Sequence, residues 1–149
     1  MTTLHQVTDI DMLMTWRAEV IENVFGAPAS PALLAANRSY YARNIAGGTH
    51  YAYVARVDDR EAGCGAICLT EELPSPDNPS GRCAYLMNIY VRRPFRNHGV
   101  AHFIVTNLIE KAKALDCGKI YLETTEQGRP VYESLGFSDM PDMMKLSEK

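Results

Sequence analysis

The sequence predicts a mixed α and β domain in which helices flank a mixed sheet, with elements in the order ααβββαβαβ. Three observations lead there. Capped helical periodicity occurs twice near the start and again after about residue 98. Between these stretches, aromatic and β-branched runs alternate with short polar turns. The stretch from Cys83 to Thr124 reads as strand, long helix, strand, a crossover that should be right-handed with parallel strands. The chain of 149 residues suits one domain spanning 1–149, with no repeat, low-complexity tract or linker to divide it.

The elements follow in turn. Thr8-Asp9-Ile10-Asp11 resembles a capping box. Ile10, Leu13, Arg17, Ile21 and Val24 then recur at helical spacing until Gly26 and Pro28 stop the run. Ser30-Pro31 opens a second helix, a cap followed by proline at the first helical position, ending near Gly47-Gly48. Tyr51–Val57 and Ala62–Leu69 are strands joined across the polar Asp58-Asp59-Arg60-Glu61, a hairpin pattern. Three prolines and a glycine make 74–81 a loop. Cys83–Val91 is nearly continuously apolar, as suits a central strand buried on both faces. A long helix runs from about His98 to Asp116, with Ala101, Ile104, Val105, Leu108, Ala112 and Leu115 as its buried stripe. Ile120–Thr124 is a short strand. A short helix after Pro130 stops at Gly136, and Phe137–Leu146 supplies a final strand or hairpin that Pro141 weakens.

Composition excludes several classes. Hydrophobic residues make up 46% and charged residues 22%, the profile of a soluble globular protein. A net charge of −3 argues against a nucleic-acid partner, although Arg92, Arg93 and Arg96 form a local basic patch. No apolar run approaches the ~20 residues that span a bilayer, and the N-terminus lacks a signal-peptide pattern, so no membrane partner and a cytoplasmic location are expected. Cys64, Cys68, Cys83 and Cys117 lack zinc or redox spacing and read as reduced structural thiols. His98 and His102 stand four apart on a helix, but no third ligand is near, so no metal is expected.

The stretch Arg92–Val105, RRPFRNHGVAHFIV, concentrates positive charge and a glycine where a helix begins. A helix start presents unpaired N–H groups and the positive end of the macrodipole, and glycine lets a ligand approach the backbone. Together these form an anion site. The pattern is neither a Walker A loop nor a dinucleotide fingerprint.

Arg96-x-x-Gly99-Val100-Ala101 resembles the R/Q-x-x-G-x-G/A pyrophosphate loop of the GCN5-related N-acetyltransferase (GNAT) superfamily. Tyr132-Glu133-Ser134-Leu135-Gly136-Phe137 resembles its second signature, Y-x-x-x-G-F. The resemblance implies a mostly antiparallel sheet and acetyl-CoA as cosubstrate. It implies pyrophosphate contacts from the main chain of Arg96, Asn97, His98, Gly99, Val100 and Ala101. It implies pantetheine pairing along Ile89, Tyr90 and Val91, where the two strands of the crossover splay apart. The family's N-x-x-A before the tyrosine is replaced here by Thr125 and Gly128.

The implied chemistry is direct attack of a primary amine on the thioester, with a small-molecule acceptor expected. Tyr132 takes the position of the acid that protonates the leaving sulfur. The strand before the loop lacks the family's frequent carboxylate, and Glu123 on the neighbouring strand is the first substitute as base. Asn88, polar within an apolar strand, either orients water or the acceptor or is satisfied within the sheet. The first two helices often wall the acceptor site, which brings in Trp16, Glu19, Glu22, Tyr40 and Tyr41. Glu71, Glu72 and Asp77 read as exposed loop charges. The apolar residues near 137–146 permit a homodimer. Two readings from other classes compete: an acyl-CoA-binding regulatory or interaction module without turnover, and a nucleotide-binding protein unrelated to CoA.

Overall fold

The chain begins with a strand that its composition does not announce. In the computed structural model, which describes residues 1–148, Thr2–Val7 forms β1 and pairs antiparallel with β2, His50–Val57. Helices α1 (Ile10–Phe25) and α2 (Pro31–Ala46) lie between them in sequence. Asp9, rather than Thr8, caps α1, accepting from the amides of Asp11 and Met12. Ser30 caps α2 and Pro31 occupies its first turn, as the sequence predicts. Strand β2 turns through Asp58 and Asp59, both with positive φ, into β3 (Arg60–Glu71). These short polar side chains tolerate the left-handed conformation that a tight hairpin requires. β3 pairs antiparallel with β4 (Arg82–Val91), and β4 pairs parallel with β5 (Lys119–Leu122) across α3 (Val100–Ala114). A short helix α4, Arg129–Ser134, follows.

The sheet order is β1-β2-β3-β4-β5, mostly antiparallel with one parallel pair, so the predicted class holds. The two ends of the element order differ. β1 was not predicted, because Thr2–Val7 carries four polar residues and shows only partial burial. The predicted strand at Phe137–Leu146 does not form: no strand follows β5 among the described residues. Pro141 offers no amide for a ladder, and β5 is left as an edge strand. Helix α3 also starts two residues later than predicted, at Val100.

Two cores hold the layers together. On one face Ile104, Val105, Leu108 and Ala112 of α3 pack on Ala55, Ile67, Ala84 and Leu86. On the other, Leu13, Trp16 and Val20 of α1 and Tyr41 of α2 pack on Val7, Ala52, Val54 and Cys64. Each fully buried aliphatic side chain contributes roughly 1.5–3 kcal/mol. The second core draws its sheet residues from β1, β2 and β3, with Tyr90 at its margin. Tyr85 and Tyr121, register partners on β4 and β5, belong to neither core and remain half-exposed.

A bulge in β4 prepares the site. Cys64 pairs with Tyr90 and Ala66 with Met87, so Asn88 and Ile89 together face the single Gly65. Asn88 has φ +56°. A Cβ at Gly65 would lie 2.8 Å from Cγ2 of Ile104, so α3 can approach the sheet here only over a glycine.

Candidate active site

Strands β4 and β5 part company after four register pairs, the last being Leu86 with Leu122. β4 continues to Val91 while β5 has ended, which frees one edge of Met87–Val91. The cleft opened there has a volume of about 610 Å³. Ile89, Tyr90 and Val91 line one side, the loop residues Arg96, Asn97, Gly99, Val100 and Ala101 line another, and Tyr132 from α4 reaches into it. Of the sequence-predicted cofactor residues only His98 does not line this cleft; His102, one turn along α3, does.

The loop is shaped to present backbone. A 3₁₀ turn at Arg93–Phe95 ends β4. Asn97 and Gly99 then adopt left-handed conformations, φ +63° and +78°. Gly99 is the N-cap of α3, and no side chain caps the helix. The first amide to close onto the helix is that of Phe103, donating to the Gly99 carbonyl at 2.9 Å. The preceding amides stand at the positive end of a helix of fifteen residues, within the cleft wall. No atom lies within 4 Å of a Cβ built on Gly99. Arg96 is fixed beside them: its Nε donates to the Val91 carbonyl at 2.8 Å, and its guanidinium lies 5.8 Å from the Tyr90 ring.

Arg92 has a different fate. It grips both carboxylate oxygens of Glu19 at 2.8 and 2.9 Å and stacks 4.1 Å over Trp16. The Arg92 hydrogen bond, then its charge, keeps the Glu19 carboxyl below its ordinary range against the opposing effect of burial. Glu19 is therefore committed to holding α1 against the end of β4. Of the other expected acceptor contacts on the first helices, Trp16 and Tyr41 are buried in the core, and the Tyr40 hydroxyl bonds to Nδ1 of His50 at 2.8 Å. Glu22 is exposed.

Two oxygens of Asn88 are engaged within the fold. Its Oδ1 accepts from Nη1 of Arg17 at 2.8 Å, and its carbonyl accepts from the Cys64 thiol at 3.3 Å. Arg17 also donates from Nε to Oδ1 of Asn37 at 2.9 Å, so one guanidinium joins α1, α2 and the bulge. Three of the four free cysteines are buried, and burial pushes the Cys64 thiol up to about 12. Cys68 is only half-buried.

A second cleft, of about 660 Å³, adjoins the first along the outer side of β5. Tyr85, Tyr121 and Glu123 line it, with Phe137, Met140 and Met143 on the C-terminal side. Tyr132 is the one residue among those described that lines both clefts. Its ring packs edge-on against Phe137, with centroids 6.0 Å apart, and burial raises its phenol above the ordinary tyrosine range. Glu123 lines the second cleft only. The sequence reading missed this compartment, because Tyr85 and Tyr121 come from separate strands and meet only through the parallel register.

An extended strand edge thus runs directly into an uncapped helix start along one cleft. Residues 12–137 match the model of the acetyltransferase (GNAT) family, and the chain belongs to that family. Acetyl transfer is the class of activity that this membership supports. A comparison with curated proteins gives no match. Similar solved structures include a predicted acetyltransferase with acetyl-CoA from Clostridium acetobutylicum, at 24% identity and TM-score 0.87 over 99% of this chain and 96% of that one. A GCN5-related N-acetyltransferase from Ralstonia eutropha is 19% identical, with TM-score 0.78 over 99% of both chains. Glucosamine-6-phosphate N-acetyltransferase from Arabidopsis thaliana is 15% identical, with TM-score 0.74 over 100% of this chain and 99% of that one. At these identities the likeness is one of fold. No helix among the described residues is long and apolar enough to cross a membrane.

Proposed function

We propose that the protein is an N-acetyltransferase that takes acetyl-CoA and a small primary amine into one ternary complex. The observation that carries this reading is the position of Tyr132, shared by the strand-edge cleft and the second cleft. The residues of the first cleft fit the cosubstrate. The amides from Asn97 to Ala101 suit a pyrophosphate, the space beside Gly99 admits it, and Arg96 adds positive charge. The freed edge of Ile89–Val91 offers backbone groups to a pantetheine amide. Acetyl-CoA supplies an activated acetyl group on sulfur.

The protein's own contributions are positioning and proton transfer. Two adjoining clefts hold the reactants together, which replaces a bimolecular encounter by an oriented one. Tyr132 keeps its proton at neutral pH, since burial raises its phenol. It is thus suited to donate to a departing thiolate, whose thiol has an ordinary value of ~8.5. The acceptor ammonium, with an ordinary value of ~10.4, loses its proton to water through the open second cleft. We assign Glu123, which lines that cleft alone, to acceptor binding.

Calorimetry with acetyl-CoA, followed by thiol-release assays over an amine panel, tests the reading. Binding with amine-dependent thiol release is the expected result. A folded protein that binds no acetyl-CoA overturns it. Tight binding with no release over a broad panel favours a CoA-binding module instead.

A further inference from the structure

The second cleft carries information about the acceptor. Tyr85 and Tyr121 stand side by side on β4 and β5, with ring centroids 5.1 Å apart and planes at 44°. Glu123, the residue after the end of β5, lines the same cleft as both rings. Burial first, and then the Glu123 carboxylate, raises the Tyr85 phenol to about 12. Phe137, Met140 and Met143 add an apolar wall opposite this floor.

The ionic balance of the lining is uneven. Lys119 lines the cleft and leans over the Tyr121 ring at 5.4 Å, but its ammonium pairs with Glu72 at 3.3 Å. Arg129 pairs with Asp139 at 2.8 Å and lies within 4 Å of Glu126 and Glu133. Both cations of the lining are thus already engaged by carboxylates. Glu123 has no cationic side chain within salt-bridge distance among the described residues. A carboxylate without a counter-ion beside two aromatic rings attracts a cation and repels a carboxylate or phosphate.

The reacting amine must be neutral when it attacks, so it is not the cation that such a floor retains. From this geometry we infer that the acceptor is an alkyl diamine or polyamine: one amino group reacts beside Tyr132 while a second, still protonated, rests on Tyr85, Tyr121 and Glu123. The methylene chain between them lies along Phe137 and the methionines. A volume of about 660 Å³ accommodates such an extended molecule. The inference rests on the acetyltransferase reading above and names the substrate class of that same site.

The test compares kcat/KM for 1,4-diaminobutane, spermidine, butylamine and 4-aminobutanoate, read by thiol release. Both polyvalent amines should exceed butylamine by at least about tenfold, the order expected for one partly exposed ion pair reinforced by an aromatic face. 4-Aminobutanoate should be the poorest substrate. Glu123→Gln should bring the diamine-to-butylamine ratio down toward one. A variant in which both amines lose activity by the same factor makes Glu123 a base rather than an ammonium site, and overturns the inference. Equal use of butylamine and diamine by the native protein overturns it too, while leaving the acetyltransferase reading intact. Calorimetric titration of 1,4-diaminobutane into the protein saturated with CoA gives a readout independent of turnover. Saturable binding weakened by Glu123→Gln supports the inference, and no heat of binding opposes it. A protein that binds no acetyl-CoA and releases no thiol with any of the four loses the parent reading first.

Discussion

Nη1 of Arg17 donates to Oδ1 of Asn88 at 2.8 Å, tying the first helix to the residue of β4 that has a positive φ. The bond lies next to the point where β4 leaves β5, so the frame of the site depends on a contact spanning 71 positions in the sequence. Asn88 has two tasks: it tolerates φ +56° and it satisfies a half-buried guanidinium. Asn88→Ala loses both and should cost about 2–3 kcal/mol, combining a hydrogen bond to a charged donor with left-handed strain. Asn88→Gly loses only the bond and should recover about 1 kcal/mol. Urea midpoints at unchanged m-value measure the difference; identical midpoints would show that backbone strain plays no part.

Removing the hydroxyl from Tyr132 should leave the first cleft intact, because the ring, not the hydroxyl, packs against Phe137. Tyr132→Phe is expected to lower the rate of the chemical step about 10²-fold, the scale of a lost general acid. The dissociation constant for CoA should stay within about twofold. Single-turnover kinetics with parallel calorimetry check both; an unaltered chemical rate removes the acid role.

Gly99 and Gly48 provide a matched pair. Both have left-handed φ, +78° and +73°, with nothing within 4 Å of an added Cβ. Substitution by leucine should cost each about 1–2 kcal/mol of backbone strain. Only Gly99 lines the strand-edge cleft. Gly99→Leu should therefore weaken CoA binding by more than tenfold while Gly48→Leu leaves it unchanged. Equal affinities in the two variants would place the pyrophosphate elsewhere.

His50 should make stability depend on pH. Burial, assisted by the charge of Arg17, brings its imidazole down to about 4, from an ordinary 6.5. Between those values the unfolded chain takes up a proton that the folded chain refuses. Stability is then fully present above about pH 6.5 and is lost as pH falls toward 4, by at most ~1.4 kcal/mol per unit. His50→Asn should flatten this segment of the stability curve. Denaturant melts at half-unit steps from pH 7 to 4 show whether it does. The Glu19 carboxyl, held below its ordinary value chiefly by Arg92, adds its own loss only below about 4.5.

The sequence alone determined the local features. Ser30-Pro31 had to open a helix, the stripe from Ile104 to Ala112 had to face a core, and the Arg96–Ala101 loop had to begin a helix beside charge. Each depends on residues a few positions apart, whose geometry the backbone fixes locally. Tertiary structure decided what depends on distant partners. Arg92 and Arg96 look alike in sequence, yet Glu19, 73 positions from Arg92, claims the first, while the second stays at the cleft. Thr2–Val7 became a strand only because β2 offered it an edge, and Phe137–Leu146 stayed irregular. Tyr85 and Tyr121 came side by side in one compartment through strand register, which is set by packing across the whole sheet and leaves no trace in spacing along the chain.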